Sequence, residues 1–535
     1  MTGRGRTAFT GGAIGGSAAL LILLLARIDG GSPGILEVVA DAVVRLIPPA
    51  LFDWGIKTLG PSAKGVLVAG VCLGVPLAGG VVAAVSSRLG SLDRRGALVD
   101  AAVLAAAAFM VGEFVVLPLT GVGVAGMDLV SQAPAVHLPL LAASLTYGAV
   151  TAAYIALERR SSDHDWDPMG GPGFSPARRS FVVGSLRLVG LGSLIASGLV
   201  VVARIVPPAR LTLPGQVDPA SSEGFGFVRA VTPVPEFYVV SKDWVPMTID
   251  AETWRLKVDG LVEEPRAWTL SEIAALPTVE GYRTLQCISA ESITRSTLIG
   301  NQRWKGARVR DLLAAARPGP GARYVLWRCA DGYHESLDLE TARRDDTWLV
   351  YEMGPLGTPL TPEHGHPLRL LVAGRYGMAQ PKYLTDMILS AQDEPGWWVK
   401  GGWQTDAPVR TYCRIDLPAA DGISDSVLAG RGFTSYGVAS SGDRGISAVQ
   451  ISLDRGASWL DAELEPLGGP IGRLTWVRWR AEVRLDEPGQ VLFMARAADG
   501  TGRWQTDEVS EPFPNGASGY PRVPMRVYAG LGEPD

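Results

Sequence analysis

Before about residue 206 the chain is dominated by five apolar runs, roughly residues 10–26, 65–86, 97–119, 134–157 and 181–206. Each approaches the roughly 20 helical residues that span the hydrocarbon of a bilayer, so residues 1–206 are expected to form a helical membrane domain of about five spans. The first run is the shortest. Between it and the second, Ile35 to Leu59 mixes Glu37, Asp41, Arg45, Asp53 and Lys57 with apolar residues, which suits an interfacial or re-entrant helix better than a span.

Arginines orient the spans. Arg4 and Arg6 precede the first; Arg88, Arg94 and Arg95 follow the second; Arg159, Arg160, Arg178 and Arg179 lie between the fourth and fifth, whereas Thr120 to Ala133 carries no Lys or Arg. The positive-inside tendency places these arginine loops in the cytoplasm and everything after Val206 outside, at the cell membrane. Arg27, Arg45, Lys57 and Lys64 in the first outer loop act against that bias. Just before the last span, Pro176-Ala-Arg178-Arg179-Ser-Phe181 looks like a twin-arginine export signal, an address for cargo that folds before export.

Pro207, Pro208, Pro214 and Pro219 then mark a linker, assigned to residues 207–231. From about 232 to 407, short alternating stretches such as Trp254 to Asp259 and Tyr324 to Trp327 are interspersed with amphipathic pieces. Ser271 to Leu276, with Ser271 as the expected cap, and Arg308 to Leu313 are two of these, and the texture is α+β. Residues 408–530 read as strands separated by Gly/Asp turns, for example Ala448 to Leu453, Trp476 to Trp479 and Val491 to Arg496, which suggests an all-β sandwich. The net charge of −5 over 535 residues gives no sign of nucleic-acid binding.

Cys72, Cys287, Cys329 and Cys413 show no paired spacing, so neither a zinc site nor a disulfide framework is expected. Cys287 is different in context. It closes Arg283-Thr-Leu-Gln-Cys287 and is followed by a cationic cluster in loops, His364-Gly-His-Pro-Leu-Arg369 and then Lys382. A thiol can hold a soft metal, and the cations can hold an anionic cofactor. His364 and His366 alone lack the third ligand of a metal site. Gly121 to Gly126 fits GxGxxG but has no strand before it, so no dinucleotide site is expected. Glu113, within the third span, is either a proton or partner contact or a carboxyl satisfied by a neighbouring helix.

From Phe237 onward the chain resembles the sulfite oxidase-like family of molybdenum-cofactor oxidoreductases. Phe237-Tyr238, Thr284 to Cys287, Trp304 to Leu313, Asp331 to Glu335, Tyr351 to Met353 and His364 to Arg369 carry the likeness, followed in the β-region by Val449 to Asp454, Ser458-Trp459, Ala495 to Asp499 and Gln505. The resemblance implies a membrane-anchored molybdopterin enzyme. Cys287 would ligate molybdenum, Arg369 and Lys382 would hold the pterin phosphate, His364 would hydrogen-bond the same cofactor, and Tyr238, Gln380 and Pro381 would lie beside it. It also implies two-electron oxygen-atom transfer on a small substrate, makes the C-terminal β-sandwich an immunoglobulin-like domain, and allows a homodimer through that domain. No span contains a histidine pair to hold a haem, so a separate electron-transfer partner is expected. The departures are at the substrate. Ser292 stands where sulfite-oxidising members carry Arg, Trp403 falls in register with a catalytic Tyr, and Ala290 replaces an Asn common in bacterial relatives. These changes argue against sulfite and leave the substrate open. The alternative is a membrane receptor or assembly subunit that retains the fold without turnover.

Overall fold

The computed structural model describes residues 3–26, 36, 39–40, 43, 63–88, 96–119, 133–162, 176–205, 225, 228–242, 246–290, 298–418 and 426–529. The interfacial segment expected between Ile35 and Leu59 lies almost wholly outside these residues, as do Ser292 and the glycines of 121–126. The chain divides into two compact units, residues 1–210 with 242–248 and residues 211–241 with 249–535.

In the first unit, five helices are long and apolar enough to cross a membrane. They are α1 (Gly3–Leu25), α2 (Ala63–Arg88), α3 (Ala97–Val111), α4 (Ala133–Ser162) and α5 (Pro176–Ile205). The first begins earlier than its apolar run, because Gly3 to Phe9 continue the helix through two arginines. Glycines set the packing. A Cβ on Gly12 would come within 2.3 Å of the Gly79 carbonyl, so α1 and α2 pack with their backbones in contact. The outward residues Leu73, Leu77 and Val81 of α2 are exposed and apolar, as a lipid-facing surface requires. After α3 the helix widens into a π turn, Gly112–Val116, that holds Glu113. Its buried carboxylate meets His137 Nδ1 at 2.6 Å, so the neighbouring-helix reading of Glu113 is the one the geometry matches.

The second unit begins with two sheets around a shared core. Its elements are β1 (Leu256–Gly260), β2 (Arg266–Trp268), α6 (Leu270–Ala274), β3 (Thr278–Gln286), β4 (Ile299–Arg308) and α7 (Val309–Ala316). There follow β5 (Tyr324–Cys329), β6 (His334–Asp338), α8 (Leu339–Ala342), β7 (Thr347–Met353), β8 (Arg369–Val372), β9 (Leu384–Ser390) and α9 (Trp397–Lys400). One sheet has the order β2-β1-β9-β5-β6, with β1 and β9 parallel, and the other is an antiparallel β3-β4-β7-β8. In the second sheet β7 and β8 are buried on both faces, and their sequences TWLVYEM and RLLV are accordingly mostly apolar, whereas β3 alternates between buried and more exposed positions. Leu349, Tyr351, Leu370 and Val372 join α7 and the first sheet in one core, whereas Val350 and Leu371 point to an opposite layer with Phe237, Leu285, Trp304 and Trp348. Helix α6 is capped by Thr269, not Ser271. The Thr269 hydroxyl accepts the Glu272 amide and Glu272 returns the bond, so the box starts two residues earlier and Ser271 lies inside the helix.

The chain then forms β10 (Tyr412–Leu417), β11 (Ser426–Leu428), β12 (Gly432–Ser440), β13 (Ile446–Ser452), β14 (Leu460–Asp461), β15 (Glu463–Leu464), β16 (Val477–Arg484), β17 (Gly489–Asp499) and β18 (Arg522–Tyr528). Two sheets result, β10-β12-β16-β15 and β11-β18-β17-β13-β14. Cys413, Ala439, Trp479 and Val483 from the first share one apolar core with Ile451, Phe493, Ala495 and Met525 from the second, which makes a sandwich. The end of the expected linker is docked rather than free. Ala230 is fully buried, and its carbonyl accepts from Asn301 of β4 and from the Trp476 indole.

Candidate active site

All the chemistry-bearing residues singled out in the second unit gather at one end of the β3-β4-β7-β8 sheet. Strand β3 alternates, so Arg283 and Leu285 face the Trp304 and Trp348 layer, and Cys287 follows directly after the strand ends. Its amide donates to Leu298 O at 2.9 Å, and Ala290 N closes a turn back on the Cys287 carbonyl at 3.3 Å. The thiol is 7 % exposed and lies 3.1 Å from Ser289 Oγ. Burial pushes its pKa up, and hydrogen bonds from Ser289 and Ile288 pull partly against that. Such a sulfur is inert as a free thiol, and a metal that displaces its proton would make it a ligand.

Opposite, Arg369 opens β8 and projects onto the Trp304 ring, 5.4 Å from its centroid. Its Nη1 donates to His364 O at 3.2 Å and its Nη2 to Gln380 O at 3.3 Å, while Nε has no partner. No carboxylate pairs with it among the described residues, and burial lowers the guanidinium to about 10. A buried cation without a counter-charge is expensive, and an anionic ligand would relieve it. His364 is pressed down to about 4, first by burial and then by Arg369, so it is neutral at neutral pH. Because Val234 O lies 3.3 Å from its Nε2, that nitrogen carries the proton. Lys382 Nζ donates to Val240 O, Ser241 Oγ and Glu363 O at 3.2, 2.5 and 3.0 Å. Between them Gly365 adopts φ +103°, and a Cβ there would come within 2.9 Å of Lys382 Cβ and 3.2 Å of Arg369 Cβ. Only glycine lets both cations approach the His364 turn.

The remaining expected residues complete this wall. Tyr238 stacks on Phe237 at 5.3 Å, and burial raises its phenol, with the Cys287 thiol adding to the shift and Arg369 opposing it. Gln380 is structural through its side chain, accepting Val372 N at 3.2 Å and donating to Arg375 O at 2.7 Å, while Pro381 O accepts Leu370 N. His366 bonds Leu360 O, and no metal-ligating cluster of three or more His, Cys, Asp or Glu occurs among the described residues. Trp403 packs with Ile288, Tyr376 and Met378, and its ring meets Phe513 edge-on at 5.2 Å. A buried thiol at Cys287 and a buried guanidinium at Arg369 that no carboxylate of the described residues pairs with together fit a metal-bearing, phosphate-bearing pterin.

Residues that sequence reasoning left without a role also border the site. Tyr333 donates to Met378 O at 2.7 Å, and Tyr376 OH accepts Arg410 N at 3.2 Å. Glu335 ends the Asp331 to Glu335 phrase that carries the resemblance, without a role given to it there, and shares the inward phase of β6 with Leu337. Burial pushes its carboxyl up to about 8. An unfolded glutamate ionises near about 4.3, so between there and about 8 unfolding releases a proton and stability falls by about 1.4 kcal/mol per pH unit. Thermal unfolding of Glu335→Gln is expected to be flat over that window where wild type declines; parallel curves would show that Glu335 is ionised in the fold.

Residues 242–398 match the family model described as oxidoreductase molybdopterin binding domain. Sulfite oxidase of Arabidopsis thaliana is 27% identical over 331 residues, covering 52% of this chain and 83% of its own. The protein named "Putative protein-methionine-sulfoxide reductase subunit YedZ1" of Azospira oryzae is 30% identical over 240 residues, covering 43% of this chain and 86% of its own. A nitrate reductase of Hordeum vulgare is 26% identical over 333 residues, covering 52% and 36% respectively.

Proposed function

Because the chain belongs to the sulfite oxidase-like family of molybdopterin-dependent oxidoreductases and uses the molybdenum–molybdopterin cofactor for oxygen-atom transfer, we propose that it reduces a neutral sulfoxide at the outer face of the membrane. Cys287 would ligate molybdenum, with Arg369 and Lys382 on the pterin phosphate, neutral His364 hydrogen-bonded to the same cofactor, and Tyr238, Gln380 and Pro381 beside it. When bound, the cofactor supplies a two-electron redox change coupled to transfer of one oxygen atom. In balance, one sulfoxide with two electrons and two protons gives the corresponding sulfide and one water. One observation carries the substrate reading: Ile288, directly after Cys287, packs with Tyr376, Met378 and Trp403 in an aromatic and thioether cluster. Sulfite and nitrate are anions and need cations to bind, while a sulfoxide pairs one dipolar oxygen with apolar substituents. The name carried by the Azospira relative agrees with that choice.

The membrane placement follows from the five helices and the arginine distribution. Export by the twin-arginine route rests on Arg178 and Arg179 at the start of α5. Electrons would come from a separate partner, and the sandwich, read as immunoglobulin-like, would carry any homodimer contact. Residues 232–407 would be the cofactor domain and 408–530 the sandwich. Holoenzyme supplied with an artificial reductant is expected to turn over a dialkyl sulfoxide at least about tenfold faster, by kcat/KM, than it reduces nitrate or, with an acceptor, oxidises sulfite, which corresponds to about 1.4 kcal/mol of discrimination. Faster sulfite oxidation would end the sulfoxide reading. Replacing Arg178 and Arg179 by Lys is expected to leave the second unit inside, protected from external protease in spheroplasts; unchanged accessibility would remove the export assignment.

A further inference from the structure

Arg283 has no part in the chemistry described, and among the described residues it is the most incompletely satisfied cation in the second unit. It is 3 % exposed, with its guanidinium stacked 3.5 Å from the Trp348 ring centroid. Nη1 donates to the Asp346 carbonyl at 2.6 Å, but Nε and Nη2 have no hydrogen-bond partner. Two buried guanidinium nitrogens in that state are uncommon and unfavourable. They border a cavity of about 20 Å³ whose lining includes Arg283, Thr284, Gly374, Arg375, Gln380 and Gly442. That volume exceeds the roughly 10–15 Å³ that a single water-sized occupant needs, and it is too small for a polyatomic oxyanion.

Charge separates an ion from a water as the occupant. The Asp346 carboxylate is engaged by Arg344 at 2.9 Å and lies 3.6 Å from Arg473, and Arg344 also holds Asp443 at 2.8 Å. Three guanidiniums, Arg283, Arg344 and Arg473, therefore face two carboxylates, and the surplus positive charge sits on the member farthest from water. Burial lowers Arg283 to about 9, which still leaves it charged at neutral pH. Water would satisfy the two nitrogens but not the charge. From these observations we propose that the Arg283 cavity is a binding site for one small monatomic anion of the chloride class, held in the fork of Nε and Nη2. The site joins two parts of the unit. Leu474 O accepts Thr284 N at 3.0 Å, and Val409 N donates to Gly374 O at 2.9 Å, so the anion ties the segment entering β16 and the start of the β-region to the loop that ends at Gln380. Occupancy thereby stiffens the loop preceding Pro381 and Lys382.

The test uses full-length holoenzyme in detergent at constant ionic strength, exchanging gluconate for chloride. Ligand linkage predicts a saturable rise in Tm of a few degrees for wild type, and no such rise for Arg283→Met, which keeps an unbranched apolar stem but removes the charged fork. Because Arg283→Met could fail to fold, bromide-soaked crystals of wild type supply a second readout, an anomalous peak within hydrogen-bond reach of Nε and Nη2. A Tm that does not respond to halide, an equal response in Arg283→Met, or density filled by water alone at high bromide each overturns the proposal.

Discussion

Cys287→Ser is expected to yield a folded chain with little molybdenum and almost no turnover. The thiol is buried at the end of β3, and its neighbours, Ser289 and the backbone of Ile288, are equally able to pair with a hydroxyl, so the fold has no reason to fail. What serine lacks is softness. A dithiolene-bound molybdenum asks for a thiolate, and a hydroxyl at this position is harder and far less acidic. Losing groups that only hydrogen-bond a metal's ligands costs about 10- to 100-fold, so losing the ligand itself is expected to cost at least about 100-fold in kcat. Metal analysis alongside single-turnover rates on purified protein checks this. Pterin is expected to be retained in part, since the phosphate contacts are separate. Wild-type molybdenum content and rate in the serine variant would remove Cys287 from the site.

Arg369→Met has the second largest expected effect, and its sign differs between the two forms of the protein. Without the cofactor, Arg369 is a buried cation with one unpartnered nitrogen and, among the described residues, no carboxylate, so methionine, which fits against Trp304 and carries no charge, leaves the apoprotein as stable or more stable. With the cofactor, the same change deletes one partner of a desolvated charge pair. Such truncations cost about 2–5 kcal/mol, or roughly 30- to 4000-fold in cofactor affinity. Arg369→Lys is expected to fall between, keeping a charge but losing the planar fork. Pterin released per mole of protein, measured after graded dialysis, separates the three. Retention by Arg369→Met equal to wild type would mean that the phosphate is held elsewhere.

The Glu335 and Arg283 cases show where one-dimensional reading stops. Both are charged residues at inward positions of strands, and alternation marks them as unusual. It does not tell whether the surrounding layer supplies a counter-charge. That depends on residues far along the chain: Asp346 and Trp348 for Arg283, and the loop before α9 for Glu335, which lies so close that a Cβ on Gly396 would meet its carboxylate. The cap of α6 failed for a more local reason. Ser271 and Thr269 are both competent caps, and the choice fell to Thr269 because Glu272 stands three residues beyond it and completes a reciprocal box.

Hydrophobic run length and alternation are properties of the chain itself, so the five membrane-length helices and the α+β and β textures were legible from sequence, and residue type marked Cys287, His364, Arg369 and Lys382 as candidates. Tertiary structure alone decided how those four come to one sheet end. It placed Arg369 in a layer where no carboxylate of the described residues reaches it, and it gave Gly365 the positive φ that admits both cations. The physical reason is desolvation. An arginine in water needs no partner, and whether it becomes a site for an anion depends on what the folded chain removes from around it.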